Sequence, residues 1–507
     1  MTDTTQSSVV VERPVPGTPR PYDFPAFERA RLANGMTLLA SHLGGRALVS
    51  AALVMRNGAA DEPEQHAGAT ILAARALSEG TERYDAIAFV EAAERLGASL
   101  HAEAGWDATT VWVDVPGERL EPALELLAEM AAHPTFPVRE IERLRDERLN
   151  DLLQARADPR RRAEEAFVET IYTRDSPYHR PAGGSRETVV GLDQQRLRAA
   201  HARGFDPARW ALIVAGDLTE LDVPTIADRL FGDWGPQPGT SPQAAITTRS
   251  AVSDRLVRVI HRPGAVQTEI RVGHLGLPRR IPDFHAVSVM SAILGGLFNS
   301  RLNMKLREEK GYTYGAFAGF DMRRGRGPFA ARAAVNTDAT VPAVADIVTE
   351  LSRMRDQPVT DSELRGARDF LVGVFPLRFE TPGPVVGALS GLVVHDLPDD
   401  ELARYRPAIE AITPGDVNRA AREHLDVERA AIVLVGDVDA FGAALEAAGF
   451  GPIAVERDEG PVELVPEESA EEEIGPVDQG SSGPTEGAED PSLDGTDEPG
   501  PRDSIPD

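Results

Sequence analysis

Apolar and polar positions follow two rhythms along this chain. Residues 47–56 (ALVSAALVMR) form a nearly continuous apolar run, and the run TTVWVDV from Thr109 alternates with a period of two, so both predict strands. In 66–79, 85–97, 118–133 and 138–155, apolar residues return every three or four positions, which predicts four helices. A second block repeats the order. It has a strand near 256–261, another near 266–275, a helix from 283, and further strands and helices to 424. Strand pairs mixed with amphipathic helices predict an α+β fold, with mostly antiparallel sheets covered by helices.

The two blocks close alike. WALIVAGDL from Trp210 and AAIVLVGDV from Ala430 are apolar runs stopped by Gly-Asp, with Gly216 and Gly436 220 positions apart. That distance indicates a duplicated domain of about 200 residues rather than a short-period solenoid. Between the blocks, GPQPGTSPQAAITTRS from Gly235 is rich in the residues that break regular structure. The expected organisation is a polar extension at 1–24, domains at 25–235 and 253–452 joined by a linker at 236–252, and a tail at 453–507.

Charge sharpens this division. The chain has 81 acidic against 53 basic residues, a net charge of -28, and 18 of the acids lie from Glu456 onward beside only two arginines. Such a composition cannot bury enough apolar surface to offset its ordering entropy, so the tail is expected to be disordered. A nucleic-acid partner would demand a basic face, and none is expected. No cysteine is present, which excludes disulfides, thiolate zinc, iron–sulfur clusters and a cysteine nucleophile. The start carries no secretory pattern and no segment reaches membrane-spanning length, so no membrane association and a cytoplasmic location are expected.

NGAADEPEQHAGATILAARALSEGT, from Asn57 to Thr81, resembles the first-domain signature of the insulinase (pitrilysin-like) zinc metallopeptidases. GGLFNSRLNMKLREEKGYTYG, from Gly295, resembles that family's other half. With the repeated Gly-Asp endings, the resemblance runs from about 25 to about 450 and implies two homologous pitrilysin-like domains. Active members carry His-x-x-Glu-His on the first helix, where two imidazoles on one helix face hold zinc and the glutamate activates water. Counted back from Gly80-Thr81, the ligand positions are Ile71 and Arg75, the base position is Ala74, and the third ligand falls on Asp151. Three of these four side chains cannot perform the task, so no metal is expected in this chain. The eleven histidines build no substitute motif: the closest pair, His274 and His285, is eleven apart. His66 and His101 are those expected near the degenerate site.

The second half retains its family pattern. Leu-Arg-x-x-x-Gly-x-x-Tyr is matched from Leu306 to Tyr314, which gives Arg307 and Tyr314 the implied role of binding substrate and stabilising its developing oxyanion. Gly311 is expected to end the helix that carries Arg307. Arg301 reads as structural. The segment Ala98, Ser99, Leu100, His101, Ala102 resembles the family's substrate-pairing edge strand, where an extended peptide adds by backbone hydrogen bonds.

Half an active site implies a partner. Some members of the family are heterodimers, and the resemblance implies that this chain is the non-zinc subunit of a metalloendopeptidase. A zinc-motif paralogue would supply the metal and peptides would be the substrate. The alternative is a catalytically inert peptide-binding or scaffold protein of the same fold. An independent metallopeptidase with a rearranged site would require setting aside Ile71, Ala74 and Arg75.

Overall fold

The computed structural model describes residue 17 and residues 20–457, apart from 242 and 244. The expected acidic tail from 458 lies outside the described residues. No helix among the described residues is long and apolar enough to cross a membrane.

The fold is α+β, built on two six-stranded mixed sheets. The first contains β1 (Glu28–Arg31), β2 (Thr37–His42), β3 (Leu48–Met55), β4 (Ser99–Ala104), β5 (Thr109–Pro116) and β6 (Ala211–Gly216), in the order β1-β2-β6-β3-β5-β4. The second contains β7 (Leu256–His261), β8 (Gln267–Leu275), β9 (Ala316–Phe320), β10 (Pro328–Asn336), β11 (Ala431–Gly436) and β12 (Ile453–Arg457), in the order β12-β7-β11-β8-β10-β9. Five strands correspond one to one: β2 with β7, β6 with β11, β3 with β8, β5 with β10 and β4 with β9. In each sheet the first of these runs parallel to the Gly-Asp strand and the pairs among the other four are antiparallel; of the outer strands, β1 is antiparallel to β2 and β12 parallel to β7.

The repeated Gly-Asp endings now have a physical cause. In the first half, Asp217 accepts a hydrogen bond from the Gly45 N–H at 2.8 Å, and the His42 ring nitrogen accepts one from Leu218 at 3.1 Å. In the second half, Asp437 takes the Gly264 N–H at 2.9 Å and His261 takes that of Val438 at 3.2 Å. One carboxylate and one imidazole thus stitch the ends of two parallel neighbours in each sheet, at positions where backbone donors would otherwise lack partners.

The two halves do not pack as self-contained blocks. The helix Pro159–Ile171 lies between β-elements of the first half in sequence, yet it packs on β8 and β11 of the second sheet. Phe167, Ile171 and Tyr172 form one core there with Ile260, Ala330, Val433 and Val435. Reciprocally, the helix Pro382–Val394 packs on β3 and β6. Val385, Val386, Leu389 and Leu392 close over Leu39, Ala52, Val54 and Ile213. Each sheet is buried on one face by its own helices and on the other by a helix of the opposite half. This explains why β6 and β11 are buried at every position instead of alternating.

Three expectations shift at their edges. The first-domain helix begins at Ala69 rather than 66: Glu64–His66 form a short 3-10 turn, and Gly68 has φ +95°, a left-handed conformation that breaks the helix before it starts. The polar extension does not end free of the fold. Phe24 and Tyr22 pack edge-on against Phe379 and Phe375, and Arg406 donates to the Tyr22 and Arg20 carbonyls. The first five residues of the expected tail form β12, because Ile453 and Val455 extend an apolar alternation and Glu456 is neutralised by Arg258 at 2.7 Å and Arg162 at 2.8 Å.

Phe167→Ala removes the ring that sits over Gly273 and is expected to cost about 3–5 kcal/mol. Urea unfolding followed by both fluorescence and circular dichroism should show a single transition at a lower midpoint. Two separate transitions, only one of them shifted, would mean that the halves fold independently.

Candidate functional site

The degenerate zinc position is built on two helices, Ala69–Ala76 and Val138–Ala157, which pack together. Glu62 fixes the first of them. Its buried carboxylate accepts from the N–H groups of Gly68 at 2.8 Å and Thr70 at 2.9 Å, at the helix end that favours negative charge, and Arg180 pairs with it at 3.2 Å. Burial pushes the Glu62 carboxyl up, and Arg180 and the two amides oppose that rise.

The ligand positions face guanidinium groups. Arg75 pairs with Glu147 at 3.0 Å, and Glu147 also accepts from Arg143 at 2.6 Å. Asp151 is gripped by Arg148 and by Arg161 at 2.7 and 3.1 Å. The Arg161 hydrogen bonds hold its carboxyl below the usual range. Ile71 is half-buried and lines a small gap with Arg75 and Arg148, while Ala74 is buried and lines another with Met55 and His201. Ile71 and Ala74 offer no ligand, and the two carboxylates at this place, Glu147 and Asp151, are both taken up by arginines whose charge opposes a divalent cation, so zinc does not fit these residues. Of the two histidines expected nearby, His66 ends the short turn before the helix, and His101 projects from β4 with its ring stacked on Trp112 at 6.2 Å.

Sequence reasoning passed over His201. It is half-buried beside the base position, its Nε2 is 2.9 Å from the Ala131 carbonyl, and Phe136 and Phe205 flank it. Burial pulls its pKa down to about 4. A lone histidine on a helix rich in arginine and glutamine gives no pattern by which this placement could be foreseen.

Of the second-half residues, Arg307 is half-buried and Tyr314 is open to solvent. Arg307 sits on the π-helical turn Met304–Glu309, which ends at Gly311 with φ +64° as its position predicts. The guanidinium lies 4.3 Å over the ring of Phe298 and 3.4 Å from the Glu308 carboxylate. Tyr314 is 97 % exposed. Phe298, Met304 and Phe317 are also exposed, so the arginine and the phenol stand in an apolar setting at the margin of the second sheet. Phe298 was legible in hindsight, as an aromatic inside a Gly/Asn/Ser turn where no core periodicity calls for one. Arg301 makes a bidentate pair with Glu363 at 2.6 and 3.1 Å, a structural contact.

Ser99 to Ala102 lie on β4, which pairs only with β5 and so leaves one backbone edge unpaired at the end of the first sheet. Ala98 precedes the strand, its N–H bonded to the Ala93 carbonyl. The Ala69–Ala76 helix packs beside β4. In the repeat, β9 occupies the same place in the second sheet, and the turn carrying Arg307 follows the segment packed on it. The segment packed on β9 is thus the repeat counterpart of the Ala69–Ala76 helix, and the Arg307 turn lies between that segment and β9 in the chain.

Residues 39–182 match the family model described as Insulinase (Peptidase family M16), and residues 191–371 match that described as Peptidase M16 inactive domain. Together they span well over half of the chain, which belongs to this family. Among its relatives is an uncharacterized zinc protease of Mycobacterium leprae, 24% identical over 80% of this chain and 91% of that protein. A non-peptidase homolog of Helicobacter pylori, YmxG, is 21% identical over 76% of this chain and 88% of its own length. Of solved structures, a peptidase M16 inactive domain from Pseudomonas fluorescens superposes with TM-score 0.76 at 25% identity, covering 81% of this chain and 98% of that one. A protease from Helicobacter pylori has the same fold, with TM-score 0.75 at 18% identity over 82% and 100%.

Because His201 is neutral when folded and titrates near its ordinary value when unfolded, the unfolded chain binds the extra proton between about pH 6.5 and 4. Stability should therefore fall as pH drops through that window. Denaturation midpoints across it should be less pH-dependent in His201→Gln, by close to one proton.

Proposed function

We propose that this chain is the non-zinc subunit of a heterodimeric metalloendopeptidase, contributing Arg307 and Tyr314 to a site whose metal is held by a zinc-motif paralogue. One observation carries the reading. The zinc position is filled by Ile71, Ala74 and an Arg75–Glu147 ion pair, while Tyr314 is exposed and the half-buried Arg307 has, among the described residues, no ion pair but a 3.4 Å one with its neighbour Glu308. A guanidinium stacked on Phe298 is orientated but leaves its N–H groups for a peptide carbonyl, and an exposed phenol can donate a second hydrogen bond. Those donors would hold the substrate backbone and offset charge growing on its carbonyl oxygen. The free edge of β4, from Ser99 to Ala102, would align an extended peptide.

The second reading, a catalytically inert peptide-binding protein, takes support from the relative named as a non-peptidase homolog. In that case Arg307 and Tyr314 would serve binding alone.

Affinity purification of the chain from its own cells separates the two. The first reading expects an equimolar subunit bearing His-x-x-Glu-His and chelator-sensitive cleavage of an unstructured peptide; recovery of this chain alone, without cleavage, would refute it. In the complex, Arg307→Ala or Tyr314→Phe should lower turnover about ten-fold or more, as the loss of an oxyanion donor does. Unchanged turnover in both variants would remove their catalytic role. Metal analysis of the isolated chain should find well below one zinc per molecule.

A further inference from the structure

At the N-terminal end of the Ala69–Ala76 helix, away from its degenerate ligand face, lies a cavity of about 340 Å³. Its wall includes five arginines, and three of them are satisfied within the fold: Arg180 by Glu62, Arg56 by Asp396 and Arg209 by Asp206. The other two are not. Among the described residues the side chains of Arg174 and Arg203 have no hydrogen bond and no ion pair. Arg203 is half-buried, and burial pulls its pKa down against the weaker attraction of the Glu62 and Asp61 charges, neither of which reaches it in an ion pair. The same wall holds Ser176, only 3 % exposed, whose hydroxyl has no hydrogen-bond partner among the described residues. An unpartnered buried hydroxyl and a partly desolvated guanidinium are both unfavourable, and side by side in one cavity wall they have a common explanation in a bound ligand. The same wall carries four carboxylates, and none makes an ion pair with Arg174 or Arg203: Glu62 and Asp61 pair with Arg180 and Arg324, Asp175 lies 3.7 Å from Arg249, and Glu64 is exposed.

We infer that this cavity is a binding site for a small anion bearing a carboxylate or phosphate group, held by the Arg203 and Arg174 guanidinium groups and the Ser176 hydroxyl. Guanidinium presents paired N–H donors that match both oxyanions, and a serine hydroxyl adds a third donor from the buried side. The cavity volume suits a ligand of metabolite size or the terminal residues of a peptide. The site belongs to this chain alone and does not depend on a partner subunit or on Arg307 and Tyr314.

Isothermal titration of the full chain at constant ionic strength tests it, with inorganic phosphate, citrate, and tetraalanine with a free or an amidated C-terminus as probes. At least one probe should bind more tightly than chloride, and Arg203→Gln should weaken that binding about ten-fold or more. Arg174→Gln lies at the exposed rim and keeps the test valid if Arg203→Gln fails to fold; it should weaken the same probe, whereas the distant Arg404→Gln should not. Binding of phosphate or citrate identifies a free anion as the ligand, and binding of only the free-terminus peptide identifies a peptide carboxylate. No probe exceeding chloride, or equal binding by Arg203→Gln and Arg174→Gln, would overturn the assignment.

Discussion

Everything in this structure rests on the reciprocal burial of two sheets by each other's helices. A six-stranded sheet whose central strands are apolar on both faces cannot stand with one face in water. Here each half lends a helix to cover its counterpart: Pro159–Ile171 brings Phe167 and Ile171 to the second sheet, and Pro382–Val394 brings Val386 and Leu389 to the first. The exchange makes the halves mutually obligatory. It also fixes the margins on which the functional residues sit, since β4 and β9 are held at corresponding ends of sheets that cannot rotate freely against one another.

Much of this was readable from the residues, and the exceptions have physical reasons. The strands came through clearly, because 47–56 and the run from Thr109 have few polar interruptions and their ladders lie at Leu48–Met55 and Thr109–Pro116. The duplication was visible in Gly216-Asp217 and Gly436-Asp437, though His42 and His261, which complete the same stitch, were not. A histidine that accepts one backbone N–H leaves no periodic trace. The exchange was invisible for a deeper reason. Helix periodicity reveals that a face is apolar but not which sheet it meets, and Pro159–Ile171 reads like any other helix of the first block. Residues 453–457 looked like the start of the acidic tail by composition, and two arginines distant in sequence, Arg162 and Arg258, decide otherwise.

The candidate site shows the same division. Loss of the zinc motif could be read at Ile71, Ala74 and Arg75 by counting. What replaced it could not, because Arg148 meets Asp151 from one helical turn away while Arg161 and Arg75 reach Asp151 and Glu147 from other helices. The result is more than an absence of ligands. Buried or partly buried guanidinium groups, once paired, resist the return of a divalent cation. Restoring single ligands to this helix would leave Arg148 and Arg161 facing the metal, and their repulsion would have to be removed together with any repair.

The second half poses the opposite question: why exposed groups should remain so. A tyrosine almost wholly in solvent and an arginine stacked on an exposed phenylalanine gain little from the fold that presents them. Side chains left in that state favour contact with something outside the chain. The Arg307 turn runs into β9 as the helix Ala86–Arg95 runs into β4, so the duplication sets it beside the sheet margin that corresponds to the edge of β4. The proposal of a site completed from outside the chain takes support from that placement as well as from the chemistry of the two donors.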